Sequence, residues 1–142
     1  MDQRLSDEFQ TAFWAAKRAM DEASEAAFQR HGVRSGQQWI LRRLWAEDGL
    51  SPGEIARQLD LATPTVTKAA TRMEAAGLLT RHAHPHDARL VRLCLTDRGR
   101  ALEKVIAEEM QQLAERALAS LDDSERATLV RSLNEIRTNL HE

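Results

Sequence analysis

Two helix-start signals lying close together constrain this chain more than any other feature. Ser51-Pro52-Gly53-Glu54 combines an N-cap serine, a proline suited to the first helical position and a glutamate able to reach back as capping-box partner. Thr63-Pro64 repeats the cap-then-proline pattern shortly after Leu59. The first signal predicts a short helix to about Leu59, with Ile55, Ala56 and Leu59 on its buried side. The second predicts a helix to about Ala76, stopped by Gly77. Two short helices joined by a tight turn form a helix-turn-helix.

The segment after this pair reads as a hairpin. Leu78 to His82 is extended, His84-Pro85-His86-Asp87-Ala88 is turn chemistry, and Arg89 to Thr96 alternates with Val91, Leu93 and Leu95 on one face. Longer helices flank this central part. One runs from about Leu5 to His31, with Phe9, Phe13, Ala16 and Met20 on one side, and ends at Gly32. Another spans roughly Gly36 to Glu47. A third starts at Thr96 or Asp97 and continues to about Ser120. The last is capped by Asp122 with Glu125 and carries the stripe Leu129, Leu133, Ile136 and Leu140. With 42% hydrophobic residues but only 6 Gly, 3 Pro and no Tyr, the composition fits such helices and disfavours a many-turned β-sandwich.

Composition also excludes several classes. No run of about 18 apolar residues is present, so a membrane partner is not expected. One cysteine builds neither an internal disulfide nor a thiolate zinc site. The N-terminus lacks the pattern of a signal peptide, which makes a cytoplasmic location the expectation. At 142 residues, a single compact subunit is expected.

The net charge of −2 conceals an uneven layout. Residues 1–50 are net −1 and residues 101–142 net −4, whereas residues 51–100 are net +3 and hold three of the five histidines. Local positive potential, more than total charge, determines contact with a polyanion. On a helical wheel, Val66, Ala69, Ala70 and Met73 gather on one side of the second short helix. Pro64, Thr65, Lys68, Thr71 and Arg72 gather opposite, with Thr67 at the margin. An outer face of hydroxyls, proline and two cations, without an acid, suits double-stranded DNA. Its bare N-terminal end favours phosphate, its cations reach phosphate or guanine, and its methyls meet thymine. A merely solvated helix more often mixes Glu with Lys.

The stretch LSPGEIARQLDLATPTVTKAATRMEAAGLLTR, followed by HPHDAR and LCLTDRG, resembles the multiple antibiotic resistance regulator (MarR) family. The resemblance implies a mainly α fold with a small β-wing. Residues 36–96 would be the winged helix-turn-helix DNA-binding region, and residues 1–35 and 97–142 a helical dimerisation region. It implies a homodimeric, sequence-specific transcriptional regulator on pseudopalindromic operators, with a repressor relieved by a small ligand or signal as the expectation. The helix from Thr63 to Ala76 takes the place of the recognition helix. Arg89 takes that of a wing arginine entering the minor groove, held by Asp87. The common wing pattern is Asp-Arg-Arg; here Ala88 replaces the first arginine.

The family often binds small aromatic acids between its dimer helices and its DNA-binding lobe. Trp14, Trp39 and Trp45 are candidates to line such a pocket, with Arg18, Arg34 or Arg43 to meet a carboxylate; ordinary packing is the alternative for the tryptophans. No cofactor or metal is expected. His82, His84 and His86 look like a metal tract, which leaves a small metal-dependent hydrolase as one rival reading, but Pro85 breaks the alternation that would align the imidazoles. A helical protein-interaction module without DNA binding is another. Cys94 lies in a strand as an ordinary small residue or as a sensing thiol, which would need exposure and a lowered pKa. No catalytic constellation is found, and the chain is not expected to be an enzyme.

Overall fold

The computed structural model describes residues 1–141. In chain order its elements are α1 (Gln3–Gln29), α2 (Gln37–Ala46), α3 (Pro52–Leu59), α4 (Thr63–Ala75), β1 (Leu79–His84), β2 (Asp87–Leu95), α5 (Asp97–Ala117) and α6 (Asp123–Leu140). This is the mainly helical architecture with a two-stranded antiparallel wing that the sequence implied. Residues Met1–Glu108 form one compact unit, and a second begins at Glu109.

The core of the first unit gathers around the helix-turn-helix. Ile40, Leu41 and Leu44 of α2, Ile55 and Ala56 of α3, and Val66, Ala70 and Met73 of α4 are buried together with Leu78, Leu79 and Leu93. The Ser51 capping box forms in full, with Glu54 N–H donating to Ser51 Oγ and Ser51 N–H to Glu54. The turn to α4 passes through Asp60 in the left-handed region (φ 55°), a conformation that Asp tolerates better than most residues.

At the start of α4 the expected cap is displaced by one residue. Ala62 is the N-cap, so Thr63 and Pro64 are the first two helical residues and no side chain caps the end. A proline costs nothing at either early position, because its missing N–H would be without a helical partner anyway. Thr96 caps α5, its Oγ1 accepting from Gly99 N–H at 3.0 Å.

The wing departs further from expectation. Both strands extend to the tip, leaving Pro85-His86 alone as the turn. Leu79 pairs with Leu95, Arg81 with Leu93 and Ala83 with Val91, but His84 then pairs with Asp87. Ala88, Arg89 and Leu90 are thereby bulged out of the ladder, and bulges re-aim side chains. Leu93 and Leu95 are buried as read, whereas Val91 is exposed because the hairpin outruns the core.

Several long-range polar contacts fix the wing's root. Trp45 Nε1 donates to the Gly99 carbonyl (2.9 Å), and Thr96 Oγ1 to that of Gly77 (2.7 Å). Asp48 accepts from Leu95 N–H (2.9 Å), and Arg98 donates to the carbonyls of Ala76 and His31. Gly99 has no room for a side chain, since a Cβ there would collide with the Leu78 carbonyl oxygen.

The terminal helices present a different surface. On α1 only Ala27 and Phe28 are buried, while Phe9, Trp14 and Met20 are exposed. On α6 the Asp122–Glu125 capping box forms as read, yet no residue of that helix is buried. Its stripe consists of half-buried Leu129 and Ile136 with exposed Leu133 and Leu140. No helix among the described residues is long and apolar enough to cross a membrane.

Candidate nucleic-acid interface

Helix α4 displays the outer face that its wheel predicted. Pro64, Thr65, Thr67, Lys68, Thr71 and Arg72 are all exposed, and Val66, Ala70 and Met73 on the opposite side are fully buried. Burial of those three side chains fixes the rotation of the helix about its axis, which determines what it shows outward. Among the described residues, neither Lys68 nor Arg72 is engaged by a carboxylate. Two cations without an intramolecular partner keep their full charge available for an anion. The uncapped start of the helix adds the positive end of its dipole.

At the wing, Asp87 grips Arg89 in three places. Its Oδ1 accepts from the Arg89 N–H (3.0 Å) and Nε (3.1 Å), and its Oδ2 from Nη2 (3.2 Å). The Arg89 side chain is still 90% exposed. One edge of its guanidinium, Nε and Nη2, is held by Asp87 while the side chain stays open to solvent, which suits presentation to a groove. These bonds from Arg89, side chain first and backbone second, hold the Asp87 carboxyl below its ordinary pKa of 3.8.

The helix and the wing are also joined to each other, a contact that the sequence reading missed. Glu74 of α4 accepts from the Arg81 backbone N–H (3.1 Å), Nε (3.1 Å) and Nη2 (2.9 Å), and Arg81 Nη1 reaches Thr71 Oγ1 at 3.3 Å. This donation keeps the Glu74 carboxyl below its usual range. The only signal for it in the chain was an acid near the end of one element and a cation near the start of the next.

Of the wing histidines, His84 and His86 bring their rings to 5.9 Å between centroids, while His82 is held by Thr80. His82 Nε2 lies 2.7 Å from Thr80 Oγ1, and His84 Nδ1 accepts from the His86 N–H at 3.1 Å. No cluster of His, Cys, Asp or Glu with the makings of a metal site occurs among the described residues. Cys94 is half-buried on β2.

The residues read as a possible effector pocket lie on two helices. Trp14 and Arg18 are a turn apart on α1, where Trp14 is half exposed and its Nε1 donates to Gln10 (3.0 Å). Trp39 and Arg43 are a turn apart on α2. Trp39 is half exposed beneath the Arg42 guanidinium, and the Arg43 Nε is buried with no hydrogen-bond partner among the described residues. Arg34, the further candidate for a carboxylate, lines a cleft of about 640 Å³ in the same unit with Glu25 and Arg72, apart from the two tryptophans.

Comparison with known proteins agrees with this geometry. A model described as the MarR family matches residues 35–91. The HTH-type transcriptional regulator TtmR of Methylorubrum extorquens (strain PA1) is 32% identical over 139 residues, spanning 98% of this chain and 70% of TtmR. The crystal structure of YusO from Bacillus subtilis superposes with a TM-score of 0.83 at 22% identity, covering 97% of this chain and 98% of YusO. Reduced AbfR bound to DNA gives a TM-score of 0.66 at 24% identity, covering 98% of this chain and 96% of AbfR. At those identities the two structures speak for the fold alone. The curated relatives are transcriptional regulators, which removes the hydrolase reading of the histidine tract.

Proposed function

This chain belongs to the MarR family of transcriptional regulators, and we propose that it acts in the cytoplasm as a homodimeric, sequence-specific repressor on pseudopalindromic DNA. The observation that carries this reading is the outer face of α4, an exposed row of small residues with two cations that are unpaired among the described residues, held in fixed rotation by a buried opposite side. Such a face enters the major groove, with Pro64, Thr65, Thr67, Lys68, Thr71 and Arg72 toward bases and phosphates. Arg89, steadied by Asp87, enters the adjacent minor groove, where narrow A·T tracts attract a cation.

Dimerisation is supported by the uncovered apolar faces of α1 and α6, which burial against a second copy would satisfy. Two-fold symmetry then sets two recognition helices about 34–36 Å apart, one turn of DNA. Relief by a small effector, such as an aromatic acid, is supported by the Arg43 Nε, a buried donor without a partner among the described residues, close in sequence to Trp39. Trp14 and Arg18 of α1 are further candidates for effector contact. An effector there acts by changing the separation or angle of the two lobes, so that both helices no longer fit one operator.

Selection of bound duplexes from a random-sequence pool tests the proposal. The expected outcome is an enriched inverted repeat with half-sites centred about 10 base pairs apart. Enrichment of nothing, or of a single unrepeated site, contradicts it.

A further inference from the structure

Thr71 stands on the outer face of α4, yet its hydroxyl is engaged on both sides. Oγ1 donates to the Thr67 carbonyl at 3.1 Å and accepts from Arg81 Nη1 at 3.3 Å. Arg81 is itself immobilised by Glu74 through its backbone N–H, Nε and Nη2. A hydroxyl has a single proton to donate, and that of Thr71 goes to its own helix. One lone pair is taken by Arg81, so toward the outside Thr71 has no donor left and presents its methyl beside a single remaining lone pair. Thr67 is similar on the donor side, with Oγ1 donating to the Thr63 carbonyl at 3.1 Å. Thr65 differs, since its hydroxyl has no partner among the described residues.

We infer that Thr71 is a specificity-determining residue that reads thymine through its methyl group, and that its hydroxyl donates to no base. The inference rests on the proposed entry of α4 into the major groove. Thymine alone among the bases carries a methyl on that groove edge, so an exposed methyl with no free donor beside it has one preferred partner there. Arg81 and Glu74 are positioning residues in this scheme. They fix the Thr71 rotamer and keep the Arg81 guanidinium from being a loose phosphate ligand.

The test uses the intact protein and the tightest duplex recovered from the random-sequence pool. Each thymine is replaced in turn by deoxyuridine, which removes only the C5 methyl, and affinity is measured by fluorescence anisotropy. Thr71→Val keeps the methyl without the hydroxyl, and Thr71→Ser keeps the hydroxyl without the methyl. Because Thr71 is exposed, both variants leave the core intact. At one thymine per half-site, deoxyuridine should weaken wild-type binding about fourfold, the effect of one methyl left in water. Thr71→Val should retain that distinction and bind within about twofold of wild type, while Thr71→Ser should lose the distinction and bind the thymine duplex about fourfold more weakly. Arg81→Ala should blur the same distinction without changing the salt dependence of binding, and Arg81→Lys should restore part of it. A Thr71→Ser protein that discriminates as wild type does, or a Thr71→Val protein with about tenfold or greater loss, overturns the inference. Undiminished discrimination in Arg81→Ala overturns the positioning role. Failure of the underlying DNA reading is distinguishable, because no duplex would then be enriched at the outset.

Discussion

Helices α4 and α6 are both amphipathic, and they dispose of their apolar sides in opposite ways. Val66, Ala70 and Met73 of α4 are fully buried by the chain's own core. Leu129, Leu133, Ile136 and Leu140 of α6 form an equally regular stripe, and no residue of that helix is buried. A reading element needs its orientation fixed before it meets DNA, and α4 obtains that from within one chain. An apolar stripe left uncovered is a request for a partner, and α1 repeats the request with Phe9 and Met20. The difference separates a helix whose packing is complete within one chain from helices whose packing a second copy would complete in the proposed dimer.

The harshest way to break this comparison is Leu133→Asp. If α6 packs against a second copy, a carboxylate enters an apolar interface twice, once from each subunit. Association should then weaken by upward of about 4 kcal/mol. Sedimentation equilibrium should show a monomer, and binding to the inverted repeat should collapse. On a helix that faced only water, the same change would stay within about 0.5 kcal/mol and leave the mass unaltered.

Met73→Ala probes the other side. Removing a fully buried side chain beneath the recognition face should cost about 2–5 kcal/mol of unfolding free energy by chemical denaturation. A loss below about 1 kcal/mol would mean that α4 is not held by the core as described.

Arg89→Ala sharpens the comparison by touching neither apolar face. Unfolding should stay within about 0.5 kcal/mol of wild type, while specific DNA binding weakens by about 1–3 kcal/mol. An effect on binding of only a few tenths would contradict the wing assignment.

The smallest effect concerns pH. The Asp87 carboxyl is held below its ordinary 3.8 by Arg89, so its contribution is fully present above 3.8 and is lost as pH falls through the lower folded value. The grip on Arg89 should therefore be constant from pH 5 to 8. NMR titration of the Asp87 carboxyl should give a midpoint below 3.8 in the wild type, returning toward 3.8 in Arg89→Ala. A wild-type midpoint at or above 3.8 would contradict the pairing.

Local signals made much of this molecule legible. The Ser51 and Asp122 capping boxes, the glycine stops and the outer face of α4 depend on residues within a turn or two of one another, and periodicity carries that information. The start of α4 was misplaced by one residue because proline is equally tolerated at the first two helical positions. Strand alternation placed Val91 with Leu93 and Leu95, yet it does not record where a hairpin leaves its core or where a bulge interrupts the ladder. Contacts between distant residues escaped altogether. The Arg81 clamp on Glu74, the Trp45 bond to Gly99 and the Asp48 bond to Leu95 arise only once the elements pack. Gly99 itself belonged to a recognised motif, but its physical reason is the Leu78 carbonyl that lies where a Cβ would stand.

The most direct test of the central claim is a salt titration of fluorescence anisotropy, comparing the selected inverted repeat with a scrambled duplex of equal length. The expected result is nanomolar binding to the repeat, much weaker binding to the scrambled duplex and a steep negative slope of log affinity against log salt. Equal, weak binding to both duplexes, or none at low salt, would contradict the assignment of α4 and the wing as a sequence-reading surface.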